Sequence, residues 1–227
     1  LVVATGAGFQ PVRNVETIAE DISTAVRRAH AERRPVVVNV PLNIEWEEVE
    51  YEARPPLNAP ASRLAPDPDQ LETALGIIAS SARPIILAGR GAVKSDARDA
   101  LVRLGEALGA PLATSLLGTG YFEGEPFNLG IHGTLSHQIA GETFAMADCL
   151  IVFGASLNFF TTDYQTLLAG KRVVHVDLNA RHIDRHVTVD AGVVGDARVV
   201  AETMIEMLSE AEHQPSSFRT ADLEQRL

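Results

Sequence analysis

Across residues 15–32 the apolar side chains fall at Val15, Ile18, Ala19, Ile22, Ala25, Val26 and Ala29, the i, i+3, i+4, i+7 spacing of an amphipathic helix. Asn14 is placed to cap this helix, and Arg33-Arg34-Pro35 to end it. The next stretch, 36–40, is apolar at every position except Asn39, the pattern of a strand buried in a parallel sheet rather than one alternating between core and water. One such αβ pair cannot cover its own faces and needs further chain or a partner against it. From Asp67 the two patterns alternate regularly. Helical spacing is predicted over 67–80, 96–108, 134–147 and 197–210, with strands over 84–88, 111–115, 150–154 and 172–177. A short helical turn near 180–184 precedes a further extended segment, 187–194. Alternating elements with apolar strands predict an α/β domain: a mostly parallel, Rossmann-like sheet flanked by helices and joined by right-handed crossovers.

Between these regions the character changes. Glu45, Glu47, Glu48, Glu50 and Glu52 crowd one short run, and Pro55, Pro56, Pro60, Pro66 and Pro68 follow, a composition suited to a semi-rigid surface connector. The expected organisation is an αβ remnant over 1–52, a linker over 53–66, a complete α/β domain over 67–212, and the start of another linker over the polar tail 213–227. The chain begins LVVATGAGFQ, without Met or a cationic leader, which is read as an internal piece of a longer protein.

With 227 residues, 46% hydrophobic and 22% charged, the composition is that of a globular protein. A net charge of −11 and few aromatic residues argue against nucleic acid as a partner, and the longest apolar runs are strand-sized, so no membrane span is expected. The lone Cys149 sits in an apolar stretch and reads as a buried thiol in a reducing, cytoplasmic compartment.

In an open parallel sheet, ligands bind beyond the carboxyl ends of the strands. The candidate cofactor-binding residues are those at or just past the ends of predicted strands, or at the entry to a helix. They are Gly89, Arg90 and Gly91; Thr114, Ser115 and Leu116; Gly130, His132 and Gly133; Gly154 and Ser156; and Asp177. Gly89 and Gly91 would let backbone N–H groups approach a phosphate, but Lys94 stands where G-x-G-x-x-G has its third glycine, so a plain tight turn reads equally well. His132, between glycines at an expected helix start, reads equally as a cover for a bound ring or as a surface-loop histidine. Asp177 is placed to meet a ribose hydroxyl, although a strand-end aspartate alone is more often a helix cap. Gly154-Ala155-Ser156-Leu157-Asn158 lacks the second glycine of a nucleophile elbow, and His182 and His186 flank Ile183-Asp184-Arg185 rather than a zincin pattern. Thr5-Gly6-Ala7-Gly8 reads as a bare turn. No catalytic residue and no metal ligand is assigned.

Taken together, RPIILAGRGAVKSDARDALVRLGEALGAPLATSLLGTG, LGIHGTLSHQIAGETFAMADCLIVFGASL and KRVVHVDLNARHI resemble the central domain of thiamine diphosphate-dependent enzymes of the acetolactate synthase type. The αβ pair ending RRPVVVNVPLNI resembles the end of the pyrimidine-binding domain that precedes it. The resemblance implies a fragment of a 2-keto acid decarboxylase or carboligase that uses thiamine diphosphate and Mg²⁺. Its partners would be the missing domains of the same parent chain, assembled as a homodimer or homotetramer. In the family a glutamate of the first domain and a GDG…N run of the third carry the cofactor. The only Gly-Asp pair here, Gly195-Asp196, continues Ala197-Arg198 and is not that run. The implied role of this part is structural, inactive alone. Members that hold FAD centrally do so along the strand ends named above, commonly with an arginine where this chain has Ser156-Leu157-Asn158, which counts against FAD and leaves an adenine nucleotide or an empty crevice. A free-standing FAD- or NAD-binding module, sirtuin-like or electron-transfer-flavoprotein-like, shares the architecture and is the alternative.

Overall fold

The amphipathic stretch near the N-terminus folds as α1 (Ile18–Glu32) against two parallel strands, β1 (Gly8–Pro11) and β2 (Val36–Asn39). This is a computed structural model, which describes residues 1–32, 34–50 and 63–227. Most of the expected linker therefore lies outside the described residues. The chain divides into two units, Leu1–Pro60 and Ala61–Leu227.

In the first unit the helix begins at Ile18, three residues later than its periodicity predicts. Asn14 Oδ1 instead accepts the Thr17 N–H at 2.9 Å, making a turn rather than the cap of a helix starting at Val15. Asp21 is buried and accepts from the Arg13 amide at 3.0 Å and the Thr17 hydroxyl at 2.8 Å, and its carboxyl is held below the usual range first by the Arg13 side chain. β1 is an addition to the expected elements. Its segment has no β-branched residue, and Pro11 is tolerated because, among the described residues, the strand has one neighbour only. The β2 valines, read as buried, keep substantial exposure, Val37 at 40% and Val38 at 36%.

The second unit is a six-stranded, all-parallel sheet. Its strands are β3 (Pro84–Ala88), β4 (Leu112–Thr114), β5 (Asn128–Ile131), β6 (Cys149–Phe153), β7 (Arg172–Asp177) and β8 (Ala191–Val194), in the order β5-β4-β3-β6-β7-β8. The helices are α2 (Pro68–Ala79), α3 (Arg90–Lys94), α4 (Arg98–Leu108), α5 (Gln138–Met146), α6 (Ala197–Glu210) and α7 (Ala221–Arg226). The continuous apolar runs have a direct cause, since the four inner strands, β4, β3, β6 and β7, each feed two cores. Ile86, Ile151 and Val174 bury with Leu71 of α2, Leu104 of α4 and Met204 of α6, while Ile85, Leu87, Leu150 and Val152 bury with Phe144 of α5. Asp67 and Asp196 cap α2 and α6 through their side chains, which is why these helices begin where the sequence places them.

Three features differ from expectation. β5 lies in what reads as an irregular excursion: it is short, carries Gly130 at φ +67, and its register slips between Leu112 and Thr114. α5 starts at Gln138 rather than Thr134, because 133–136 turns, with Ser136 N–H bonded to Gly133 O, and His137 caps the helix. The tail 213–227, expected as the start of a linker, packs onto the second unit. Phe218 and Leu223 join the second core, and the Arg219 guanidinium donates twice to Ala110 O, at 3.0 and 2.8 Å. Leu223→Ala is therefore expected to cost about 2 kcal/mol, and removal of 213–227 more than that, measured as a fall in the urea midpoint. An unchanged midpoint in both would show the tail to be free.

Candidate functional site

The strand order reverses between β3 and β6, the two central strands, since β4 and β5 extend the sheet one way and β7 and β8 the other. This is the topological switch point, and the residues past the strands stand at its rim. Glycine is needed there for close approach of backbone to backbone. A Cβ on Gly91 would stand 2.6 Å from Gly154 Cα, and one on Gly154, whose φ is +59, would stand 2.5 Å from Gly91 Cα. A Cβ on Gly89 would collide with the Gly154 carbonyl and the Ala155 backbone. The amides are engaged as well: Gly89 N–H donates to Phe153 O and Gly91 N–H to Gly154 O, both at 2.9 Å. What reads as a possible phosphate turn is a backbone junction leading directly into α3, with Arg90 exposed on its first turn.

The other rim residues follow the same rule. Ser115 N–H reaches Ala88 O at 2.9 Å, His132 N–H reaches Thr114 O at 2.8 Å, and Gly154 N–H reaches Val176 O at 2.8 Å, so each chain continues its pairing one residue past its strand. Thr114 and Ser115 are buried, whereas Leu116 and Ser156 are exposed. Gly133, at φ +115, packs its α-carbon under the Phe160 carbonyl, which accepts the Thr134 N–H at 3.0 Å. Around this rim Leu116, Leu117, Leu135, Phe159, Phe160 and Tyr164 are exposed, the three aromatic rings clustered with Phe159–Phe160 and Phe159–Tyr164 centroids 4.0 and 5.5 Å apart.

His132 is neither a surface-loop residue nor at a helix start. It is 2% exposed, its Nδ1–H donates to Thr161 O at 2.7 Å, and its ring lies 4.3 Å from that of Phe144. Burial drives its pKa down to about 4, so the ring is neutral at pH 7. Asp177 is not a helix cap. Its Oδ1 accepts the Asn179 N–H at 2.9 Å and the His182 Nδ1–H at 3.0 Å, and Asn179 caps the turn that follows. His175, absent from the sequence candidates, is buried within β7 with neither ring nitrogen partnered among the described residues, and burial lowers its pKa. Its signal in the sequence is a lone polar residue inside the apolar run Val173 to Val176.

Because both imidazoles titrate below their ordinary value, the unfolded chain takes up protons that the native chain refuses. Their stabilisation is complete above about pH 6.5 and is lost as the pH falls from there toward about 4, where native His132 itself titrates. For His132 the full effect is about 3 kcal/mol. Urea unfolding between pH 7 and 4.5 is expected to show a shallower loss of stability in His132→Phe than in wild type, and equal pH slopes would refute the assignment.

A family model for the thiamine pyrophosphate enzyme central domain matches residues 71–204. The chain is 30% identical over 214 residues to a probable acetolactate synthase large subunit of Methanocaldococcus jannaschii, covering 90% of this chain and 36% of that protein. It is 29% identical over 220 residues to a sulfoacetaldehyde acetyltransferase of Rhodobacter capsulatus, covering 93% and 37% respectively. A glyoxylate carboligase of Escherichia coli O157:H7 matches at 28% over 186 residues, 78% of this chain and 30% of that one. Among solved structures, benzoylformate decarboxylase from Polynucleobacter necessarius superposes with a TM-score of 0.70 at 20% identity, over 88% of this chain and 38% of its own. The chain thus spans about a third of the length of the curated relatives it matches. The rim glycines, the all-parallel sheet and the match over 71–204 agree: this chain belongs to the thiamine pyrophosphate enzymes and carries their central domain.

Proposed function

We propose that this chain is the central domain, preceded by the end of a pyrimidine-binding domain over 1–52, of a larger cytoplasmic 2-keto acid decarboxylase or carboligase that uses thiamine diphosphate with Mg²⁺. The observation that carries this reading is the family match over 71–204 in a chain spanning about a third of its relatives' length. When bound, thiamine diphosphate supplies a nucleophilic ylid and an electron sink for decarboxylation. The residues present here do not fit that group. Asp196, in the only Gly-Asp pair, is 3% exposed and already engaged: its carboxylate accepts from Ser95 Oγ at 2.5 Å, from Arg63 Nη1 at 2.9 Å, and from the Arg198 and Val199 amides that open α6. Burial alone would push this carboxyl up, but the bonds from Ser95 and Arg63 outweigh it and hold it below the usual range. It is a folding residue: all four bonds converge on its Oδ1, which is spent within the domain.

The role that fits these residues is therefore positional. A rigid two-core sheet holds a rim of exposed leucines and aromatics, which is suited to packing against the other domains of the parent and against a second copy in a homodimer or homotetramer. With thiamine diphosphate and Mg²⁺ added, the 227-residue chain is expected to release no CO₂ from pyruvate, glyoxylate or benzoylformate above a buffer blank. The gene product at natural length is expected to release it from at least one 2-keto acid, dependent on thiamine diphosphate. Turnover by the chain alone would overturn the positional role, and a natural-length protein inert toward every 2-keto acid would overturn the class.

A further inference from the structure

The fold family offers one more ligand, a flavin dinucleotide along the strand ends, and the geometry of this rim bears on it directly. We infer that the crevice beyond β3 and β6 is closed to FAD, and that Gly89, Gly91 and Gly154 act as a backbone lock joining the two halves of the sheet rather than as a phosphate cradle. A diphosphate brought out of water needs free N–H donors, a well-placed cation, or both. The glycine donors are used. Gly89 N–H and Gly91 N–H bond to Phe153 O and Gly154 O, and Gly154 packs so near the Ala92 amide that a Cβ on it would lie 2.7 Å from that nitrogen. The space that glycine opens is filled by protein: the Gly91 and Gly154 α-carbons face one another where a cradle would face the ligand.

Charge points the same way. The rim segments 115–121, 131–137 and 155–162 contain no Lys, Arg, Asp or Glu, in a chain in which 22% of residues are charged. Arg90 lies beside the junction but is exposed, and a solvated point charge contributes little without a second donor. Asp177, the candidate for a ribose hydroxyl, already binds Asn179 N–H and His182. The inference concerns the central crevice and stands apart from thiamine diphosphate chemistry, so the two are read by different measurements.

The test uses the gene product at its natural length. Titration with FAD is expected to give no saturable quenching of flavin fluorescence up to about 100 μM and no yellow colour after desalting, whereas retention of one flavin per chain would overturn the inference. Gly91→Ala is expected to lower Tm by about 5 °C or more with no flavin present. If it melts like wild type, the glycine contact is not a lock. Ser156→Arg, at an exposed position, is expected to fold normally and still refuse FAD. Acquisition of stoichiometric flavin by that variant would show that a missing charge alone had excluded it and would overturn the closed crevice. Thiamine diphosphate-dependent CO₂ release, measured on the same samples, reports separately on the proposed enzyme class.

Discussion

The second unit depends on one close approach, that of Gly91 and Gly154 across the centre of the sheet. In a doubly wound fold the two central strands leave the sheet toward opposite faces, so their exits diverge and expose peptide groups. Here the exits are drawn together until the Gly89 and Gly91 N–H groups meet carbonyls of the other exit, Phe153 O and Gly154 O. No residue with a Cβ fits at 2.6 Å from a neighbouring α-carbon, so the sequence must be glycine on both sides. This junction sets the start of α3 and, through Gly154 N–H to Val176 O, the passage from β6 to β7.

From that junction outward the fold is held by polar groups placed at element ends rather than within the cores. Asp196 joins three segments that are distant in sequence: the chain at Arg63, the end of α3 at Ser95, and the start of α6. Its backbone amide also bonds to Leu64 O at 2.8 Å, so residues 63–66 are fastened to the sheet from two directions. A buried carboxylate with this many donors is stabilising only as a set, since loss of one partner leaves charge buried without compensation. His132 does the same for two loops, joining 131–133 to 160–161 through one short bond. Such a neutral, packed ring serves the architecture of the rim, on which the exposed Phe159, Phe160 and Tyr164 are displayed.

Much of this was legible in the residues. α6 begins and ends where the periodicity and Asp196 place it, and β3 and β6 follow from apolar runs of strand length. Cys149 is buried in β6, as its neighbours imply. The elements that escaped detection share a physical character. β1, β5 and α7 are short, and their local propensity is weak: Gly130 and Pro11 disfavour a strand, and the tail is largely polar. They exist because a neighbour supplies hydrogen bonds or a hydrophobic seat, as Leu112 N–H of β4 does for Phe127 O beside β5 and as the second core does for Leu223. The candidate site divides in the same way. All its residues but Gly130, which lies inside β5, sit past strand ends or at a strand's last position, but whether an amide there is free or spent was invisible.

The residues alone determined the alternation of elements, the class of the fold, the place of the rim and, through motifs taken together, the family. These are consequences of periodicity and local chemistry, which act over a few residues and so are written in order along the chain. Only the tertiary structure decided what the rim glycines do, that His132 is a buried neutral ring, that Asp177 holds His182, and that the tail is packed. Each of these turns on which donor meets which acceptor across 29 residues, as between His132 and Thr161, or across 109, as between Arg219 and Ala110. Such pairings are set by which strand lies next in space, an arrangement to which every element contributes and which no local window contains.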